Sequence, residues 1–461
     1  MSTTRDFTKG KVSTVILRFY FPMLATAMLQ QFYSFADTAI VGKGLGDNAL
    51  AAVGNMSSLC FLIVGFSIGL SNGFSVLAAQ SFGEKDFPKL RRTIAAMVRL
   101  GIAITLTLTA LSMIFLRPVM KLLQTDPLIM GDSLTYGYIL FGGLFATIAY
   151  NMSSGILRSL GDSRTPLTAI IISSLLNIAL DSIFIFVLKT GVAGAAAATI
   201  FSQIVSAGFC LKKLTGIDIL RADKAEKKAA PGLYLLLLKN GVPMALMNSI
   251  TAVGCMVVQY YVNGLGVAYT SAYSACSRYI NMFMQPACTA GYTVTAFTGQ
   301  NFGARRFDRI RAGLRMCLLI AGVSYALLGT VMFFFPEGLA GLLLHGKEQI
   351  RIASQFLPIT GAMLFAVDML FVYRNTVQGM GAPLIPMISG ILEMALRIGT
   401  ISLLIGTMGF RATALAEVCA WTGALLMNAG AFYAIYARET GRGQSARAIR
   451  LRTRRKMKKL A

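Results

Sequence analysis

The chain has 461 residues, 55% of them hydrophobic and only 13% charged, with mean hydropathy +0.65 and formal net charge +24. A soluble protein carries about 25% charged residues, so this composition excludes an ordinary soluble globule and points to a bilayer. The seven cysteines lie inside apolar runs with no C-x-x-C pair, which suggests small apolar fillers rather than a disulfide or metal framework.

Apolar runs long enough to cross hydrocarbon, about 20 residues each, recur along nearly the whole chain. They predict an all-α membrane protein of twelve spans, near 13–41, 50–79, 93–117, 134–155, 166–188, 191–212, 233–262, 268–298, 312–335, 352–377, 384–407 and 411–436. The first run contains Pro22 and Asp37 and lacks a small-residue cleavage site, so it reads as a retained helix. The one long polar linker separates spans six and seven. The expected organisation is therefore a six-helix bundle over 1–212, a linker over 213–232, a second six-helix bundle over 233–437 and a basic tail over 438–461.

The two bundles are written from one pattern. "QSFGEKDFPKLR" at 80–91 is echoed by "QNFGARRFDRIR" at 300–311, matching Gln80, Phe82, Gly83, Phe87 and Arg91 to residues 220 positions later. "GLGDNALAA" at 44–52 returns as "GLGVAYTSA" at 264–272, and Gly161 and Pro166 return as Gly381 and Pro386, at the same offset. Three matches in one register imply a duplicated six-helix unit. An even number of spans per copy makes the halves parallel repeats about an axis along the membrane normal.

Charge gives the orientation. Only Lys43, Arg117, Lys121, Lys189, Lys347, Arg351 and Arg411 fall in the loops of one side, while most of the 43 basic residues fall on the other with both termini. The positive-inside rule makes that side cytoplasmic, and the repeated loop reads as a basic anchor in each half. With the charge in loops and ends, no nucleic-acid partner is expected; the tail at 442–461 suits anionic lipid.

An ionisable side chain in hydrocarbon costs at least ~2.5 kcal/mol and is a functional candidate by default. Asp37 lies deep in span one, with Gln30 two turns earlier on the same face and Tyr33 between them. Pro22 can loosen the helix further back. Span five holds Asn177 and Asp181 one turn apart, and Thr199 lies in the small-residue run "GVAGAAAAT" of span six. Two carboxylates, an amide and a hydroxyl are hard oxygen donors suited to Na⁺. The same carboxylates held together away from water can instead share a proton. The second half lacks this set: Val257 and Ile401 stand at the positions of Asp37 and Asp181.

The second half has its own charges. Glu393 and Arg397 are one turn apart, and Asp368, Arg374, Arg278 and Glu417 lie in neighbouring spans. Structural ion pairing is the leading expectation for these charges, and Gln30, Tyr33, Asp368, Glu393 and Arg397 are the candidates for the substrate cavity. Gly65, Gly69 and Gly73 form a small-xxx-small pattern that helix packing explains. "GLLLHGKE" at 341–348 imitates a phosphate loop, but Glu348 replaces the Ser/Thr and no strand precedes it. No nucleophile–base or metal pattern marks an enzyme.

Pro22 with "QQFYSFADTAIVGKGLGDNALAAVG", "QSFGEKD" with "QNFGARR", "LRSLGDSRTP", "NIALDSIFIF", "GVAGAAAAT", "VQGMG" and "LEMALRIG" together resemble the multidrug and toxic compound extrusion (MATE) family, from about residue 12 to 436. The resemblance implies two bundles around a V-shaped cavity, alternating access, and export of small organic cations in exchange for Na⁺ or H⁺ without a further cofactor. A bacterial DinF-like branch is implied, with the first-helix Asp matching Asp37, the fifth-helix Asn and Asp matching Asn177 and Asp181, and the sixth-helix Thr matching Thr199. Those four would ligate a metal ion only if the coupling ion is Na⁺. The family's spacing from the first-helix Pro to that Asp matches Pro22 to Asp37. Span seven, "PMALMNSITAVGCMVVQYYV", has no carboxylate, which disfavours the branch that works through acids of the C-terminal half. A bacterial inner-membrane location, both termini cytoplasmic, and a monomer in the lipid bilayer are expected. A lipid-linked oligosaccharide or polysaccharide flippase of the same superfamily is the alternative.

Overall fold

The computed structural model describes residues 4–123, 125–221 and 231–460, and regular structure among them is helical. The first half contains α1 (Val12–Leu45), α2 (Asp47–Glu84), α3 (Phe87–Leu122), α4 (Pro127–Gly142), α5 (Leu144–Ser159), α6 (Arg164–Ser182) and α7 (Val192–Thr215). The second contains α8 (Pro231–Leu265), α9 (Val267–Phe283), α10 (Gln285–Gly303), α11 (Phe307–Phe334), α12 (Pro336–Leu343), α13 (Lys347–Ala362), α14 (Leu364–Gly379), α15 (Leu384–Met408) and α16 (Arg411–Leu460). Linker residues 222–230 and Ala461 lie outside the described residues, as do the side chains of the expected basic tail beyond Gly441.

Nine of these helices are long and apolar enough to cross a membrane, and two further spans are bent pairs. α4 and α5 meet at 45° about Gly143, and α13 and α14 meet at 46° about Met363, again 220 positions apart. The expected span at 268–298 is also broken, into α9 and α10 at Met284. Pro286 opens α10, and the buried Thr289, Thr293, Thr295, Thr298, Gln300 and Asn301 make that helix too polar to stand out by hydropathy.

The duplication extends to the backbone. Left-handed residues pair at the same offset: Gly46 with Gly266, Lys85 with Arg305, Gly161 with Gly381, and Lys189 with Gly409. Each pair ends a helix or turns the chain at equivalent places, so both copies solve the same geometric problem with a positive φ.

The two halves meet along α2, α8 and α10. A Cβ on Gly69 would lie 2.6 Å from the Ala245 backbone, and one on Gly73 would lie 2.4 Å from the Asn240 carbonyl oxygen. The small-residue stripe of α2 thus lets a helix of the other half approach backbone to backbone. Asn248 of α8 donates to the Gly65 carbonyl at 3.0 Å, where this seam begins. Towards its other end each helix turns to its own half: Asn55 bonds Thr125, Met56 packs near Gly137, and Tyr261 bonds Ser402.

The chain boundary does not divide the cores. Phe7, Phe19, Tyr20 and Met23, around the start of α1, pack in one apolar cluster with residues of α10, α11, α14 and α16. Reciprocally, Leu237 and Ala245 of α8 join a cluster built from α2, α3, α5, α6 and α7. The first stretch of each half's opening helix therefore crosses onto the opposite half, at the end bearing the repeated basic loops.

Candidate functional site

Asp37 enters the site from α1, Asn177 and Asp181 from α6, and Thr199 from α7, three helices that pack against one another. Asn177 and Asp181 are fully buried, one turn apart on the inner face of α6. With the Asn177 amide turned to satisfy its neighbours, its nitrogen donates to Asp181 Oδ2 at 2.6 Å and its oxygen accepts from the Thr199 N–H at 3.2 Å. The Asp37 and Asp181 carboxyl groups face each other. Among the described residues, neither Asp37 Oδ1 nor Asp181 Oδ1, both buried, has a hydrogen-bond partner. The four residues singled out by sequence thus come together in space.

Two features of this site were not legible. Tyr136 of α4 lies buried within electrostatic reach of Asp37, Tyr33 and Asp181. Tyr33 itself reaches towards Thr199 and Asp37, so it belongs to the carboxylate cluster. The helix containing Asp181 also widens immediately afterwards into a π-helical turn at Ile183–Val187. Such turns recur at functional sites because they displace one residue from the regular ladder. Ile185 of this turn fills the space above Gly44, where a Cβ would lie 2.4 Å from Ile185 Cγ2. Gly44 therefore permits contact between α1 and the π-turn.

Pro22 lies inside an uninterrupted α1 and cannot donate to the Arg18 carbonyl. The Thr26 hydroxyl accommodates the neighbouring ladder by donating to the Pro22 carbonyl at 2.8 Å. The position of the proline matters more than its local bonds. It lies within the stretch of α1 held by the second half, just before the part that carries Asp37 against α6. Gln30 is exposed on α1, and no hydrogen bond joins it to the carboxylates among the described residues.

The sequence profile of the MatE family matches residues 22–183 and again 243–401, one match in each half of the internal repeat. The chain belongs to the MatE family. Among curated relatives, "Probable multidrug resistance protein YoeA" of Bacillus subtilis is 28% identical over 365 residues, 77% of this chain and 79% of that protein. "Probable multidrug resistance protein NorM" of Thermotoga maritima is 25% identical over 384 residues, 81% of each chain. Among solved structures, that of a MATE protein in complex with MaL6 superposes with a TM-score of 0.89 at 21% identity, covering 96% of this chain and 100% of the other.

The MATE fold carries a second set of charges in its other half, and the structure sorts them. Glu393 accepts from Arg374 at 2.5 Å and from Arg397 at 3.2 Å, while Arg397 also reaches Glu417 at 2.9 Å. All four side chains are at most 8% exposed, so α14, α15 and α16 are joined by one buried ion network. Arg278 is exposed and makes no ion pair among the described residues. Asp368 stands apart: it is fully buried, and neither carboxylate oxygen has a hydrogen-bond partner among the described residues.

Proposed function

We propose that this MATE protein is a secondary active exporter of small organic cations, driven by inward movement of Na⁺ or H⁺ through the Asp37–Asp181 pair. The single observation that carries the proposal is a pair of facing carboxylates inside the membrane span, each with an orphaned buried oxygen. Two such groups cannot both hold a negative charge away from water without a cation between them or a proton on one of them. The surrounding Asn177, Thr199 and Tyr33 supply neutral oxygens, a donor set that suits Na⁺ as well as a shared proton. The names of the multidrug resistance relatives support export over the flippase alternative.

The halves meet at the end bearing the basic loops, which the charge bias makes cytoplasmic, so this conformation suits a cavity open to the outside. Both termini would then face the cytoplasm of a bacterial inner membrane, and one monomer would contain the whole pathway. A reporter fused after Ala461 should read as cytoplasmic; an external readout would reverse the orientation.

Exchange requires that cargo and driving ion not be stably held together, since joint occupancy lets the gradient run down without work. Ion binding between Asp37 and Asp181 would remove their repulsion, draw α1 towards α6 about Pro22 and narrow the cavity on that side. Cation cargo should then bind more weakly as Na⁺ rises or pH falls, and cargo should weaken ion binding by the same factor. Equilibrium titration of a fluorescent organic cation at several pH and Na⁺ values measures the first. Uptake into proteoliposomes under separately imposed Na⁺ and H⁺ gradients identifies the ion. Cargo affinity independent of both ions would sink this mechanism.

A further inference from the structure

The repeated loops do more than anchor each half: they bond to each other's half. Gln80, near the end of α2, donates through Nε2 to the Gly379 carbonyl at 3.1 Å. Gln300, near the end of α10, donates through Nε2 to the Ser159 carbonyl at 2.7 Å. Residues 80 and 300 are equivalent in the repeat, and so are 159 and 379, so the two bonds are exchanged about the pseudo-two-fold axis.

Helix ends explain the choice of partners. Ser159 and Gly379 are the last residues of α5 and α14, and the last carbonyls of a helix have no intrahelical donor. Each half thus supplies an amide that caps a helix of the other. The glycines one turn later make the approach possible. A Cβ on Gly83 would lie 1.9 Å from the Gln300 carbonyl oxygen, and one on Gly303 would lie 2.1 Å from the Gln80 carbonyl oxygen. No larger residue fits, because the obstruction is backbone.

The arms are unequal. Gln80 lines a cavity of about 240 Å³ together with Lys89, Asn240 and Phe302, so water can reach its bond. Gln300 is fully buried, and its Oε1 also accepts the Phe7 N–H at 2.8 Å. Phe7 is in turn held over it: Asn301 donates to its carbonyl at 3.3 Å, Arg309 to the same carbonyl at 2.9 Å, and its ring meets Phe19 and Phe297. The segment before α1 closes over the Gln300 arm, and the Arg5 N–H donates to Leu160 at 2.9 Å beside it.

We propose that Gln80 and Gln300 form a reciprocal latch across the inner seam of the two halves, with the Phe7 strap making the Gln300 arm the one whose release controls inner opening. This rests on alternating access as proposed above, though not on the identity of cargo or ion. Water can replace the Gln80 bond as it breaks, which makes that arm weak. Releasing the Gln300 arm uncovers a buried amide and a helix end together.

The test is the distance between spin labels at the exposed positions of Glu84→Cys and Arg306→Cys, with the exposed Cys255 and Cys419 replaced by serine. The parent protein should show a short and a long distance across pH and Na⁺ conditions. Gln300→Ala should move the ratio towards the long distance by on the order of tenfold, and Gln80→Ala by about twofold. Gln300→Glu, which keeps an acceptor for Phe7 but gives up the donor to Ser159, should shift it in the same direction if the alanine variant does not fold. An unchanged distribution for folded Gln300 variants overturns the latch, and equal shifts for the two arms overturn the role of the strap. A single distance in the parent protein under all conditions would overturn alternating access itself, and the latch with it.

Discussion

Asp37→Asn is expected to reduce gradient-driven export to the level of empty liposomes while leaving insertion and thermal stability close to those of the parent. The substitution keeps size and a polar oxygen but removes the charge and the exchangeable proton. Asp37 has one oxygen buried without a partner, so no hydrogen bond to that atom is lost. Asp181→Asn should weaken export strongly, because Asp181 keeps its contact with Asn177 but no longer opposes Asp37 with charge. Asp368→Asn should cost less, since that carboxylate stands alone, away from the facing pair. Export assays in proteoliposomes alongside detergent melting curves separate the effects. Full export by folded Asp37→Asn protein would remove this site from the mechanism.

The cluster was legible because membrane burial makes each charge conspicuous. Asp37, Asn177, Asp181 and Thr199 stand out against apolar neighbours, and the one-turn spacing of Asn177 and Asp181 fixes their common face. Tyr136 gave no such signal, since a tyrosine in an apolar span is unremarkable until α4 packs against α2 and α7 and brings it within reach of Asp37. The repeat was legible for a related reason. Gly161 and Gly381 carry φ of +83° and +82°, a conformation that other residues adopt at a cost, so the glycine persists in both copies.

The bends at Gly143 and Met363 escaped notice because no proline stands at either one, Pro358 lying more than a turn before the second, and the break at Met284 has no counterpart in α2. The meaning of the repeated loops was also only half visible. Gln80 and Gln300 could be matched to each other, but their bonds run to Gly379 and Ser159, and nothing in the linear pattern pairs a glutamine with a helix end of the other half.

Glu393→Gln is expected to be the mirror image of Asp37→Asn, with its main effect on stability. Glu393 is the only described carboxylate that Arg374 pairs with, and it shares Arg397 with Glu417. Neutralising it leaves two buried guanidinium groups to one carboxylate, and Arg374 Nε and Arg397 Nη1 already lack partners among the described residues. Removing one member of a buried ion network costs about 3–5 kcal/mol, because the remaining charge stays buried without compensation. Glu417→Gln should cost less, since Arg397 retains Glu393, and Arg278→Ala, at an exposed position, should stay within about 0.5 kcal/mol. Melting curves in detergent would order the three variants. Glu393→Gln protein that melts like the parent yet loses export would instead make this network part of the ion or cargo path, and the structural reading of Glu393 and Arg397 would fall.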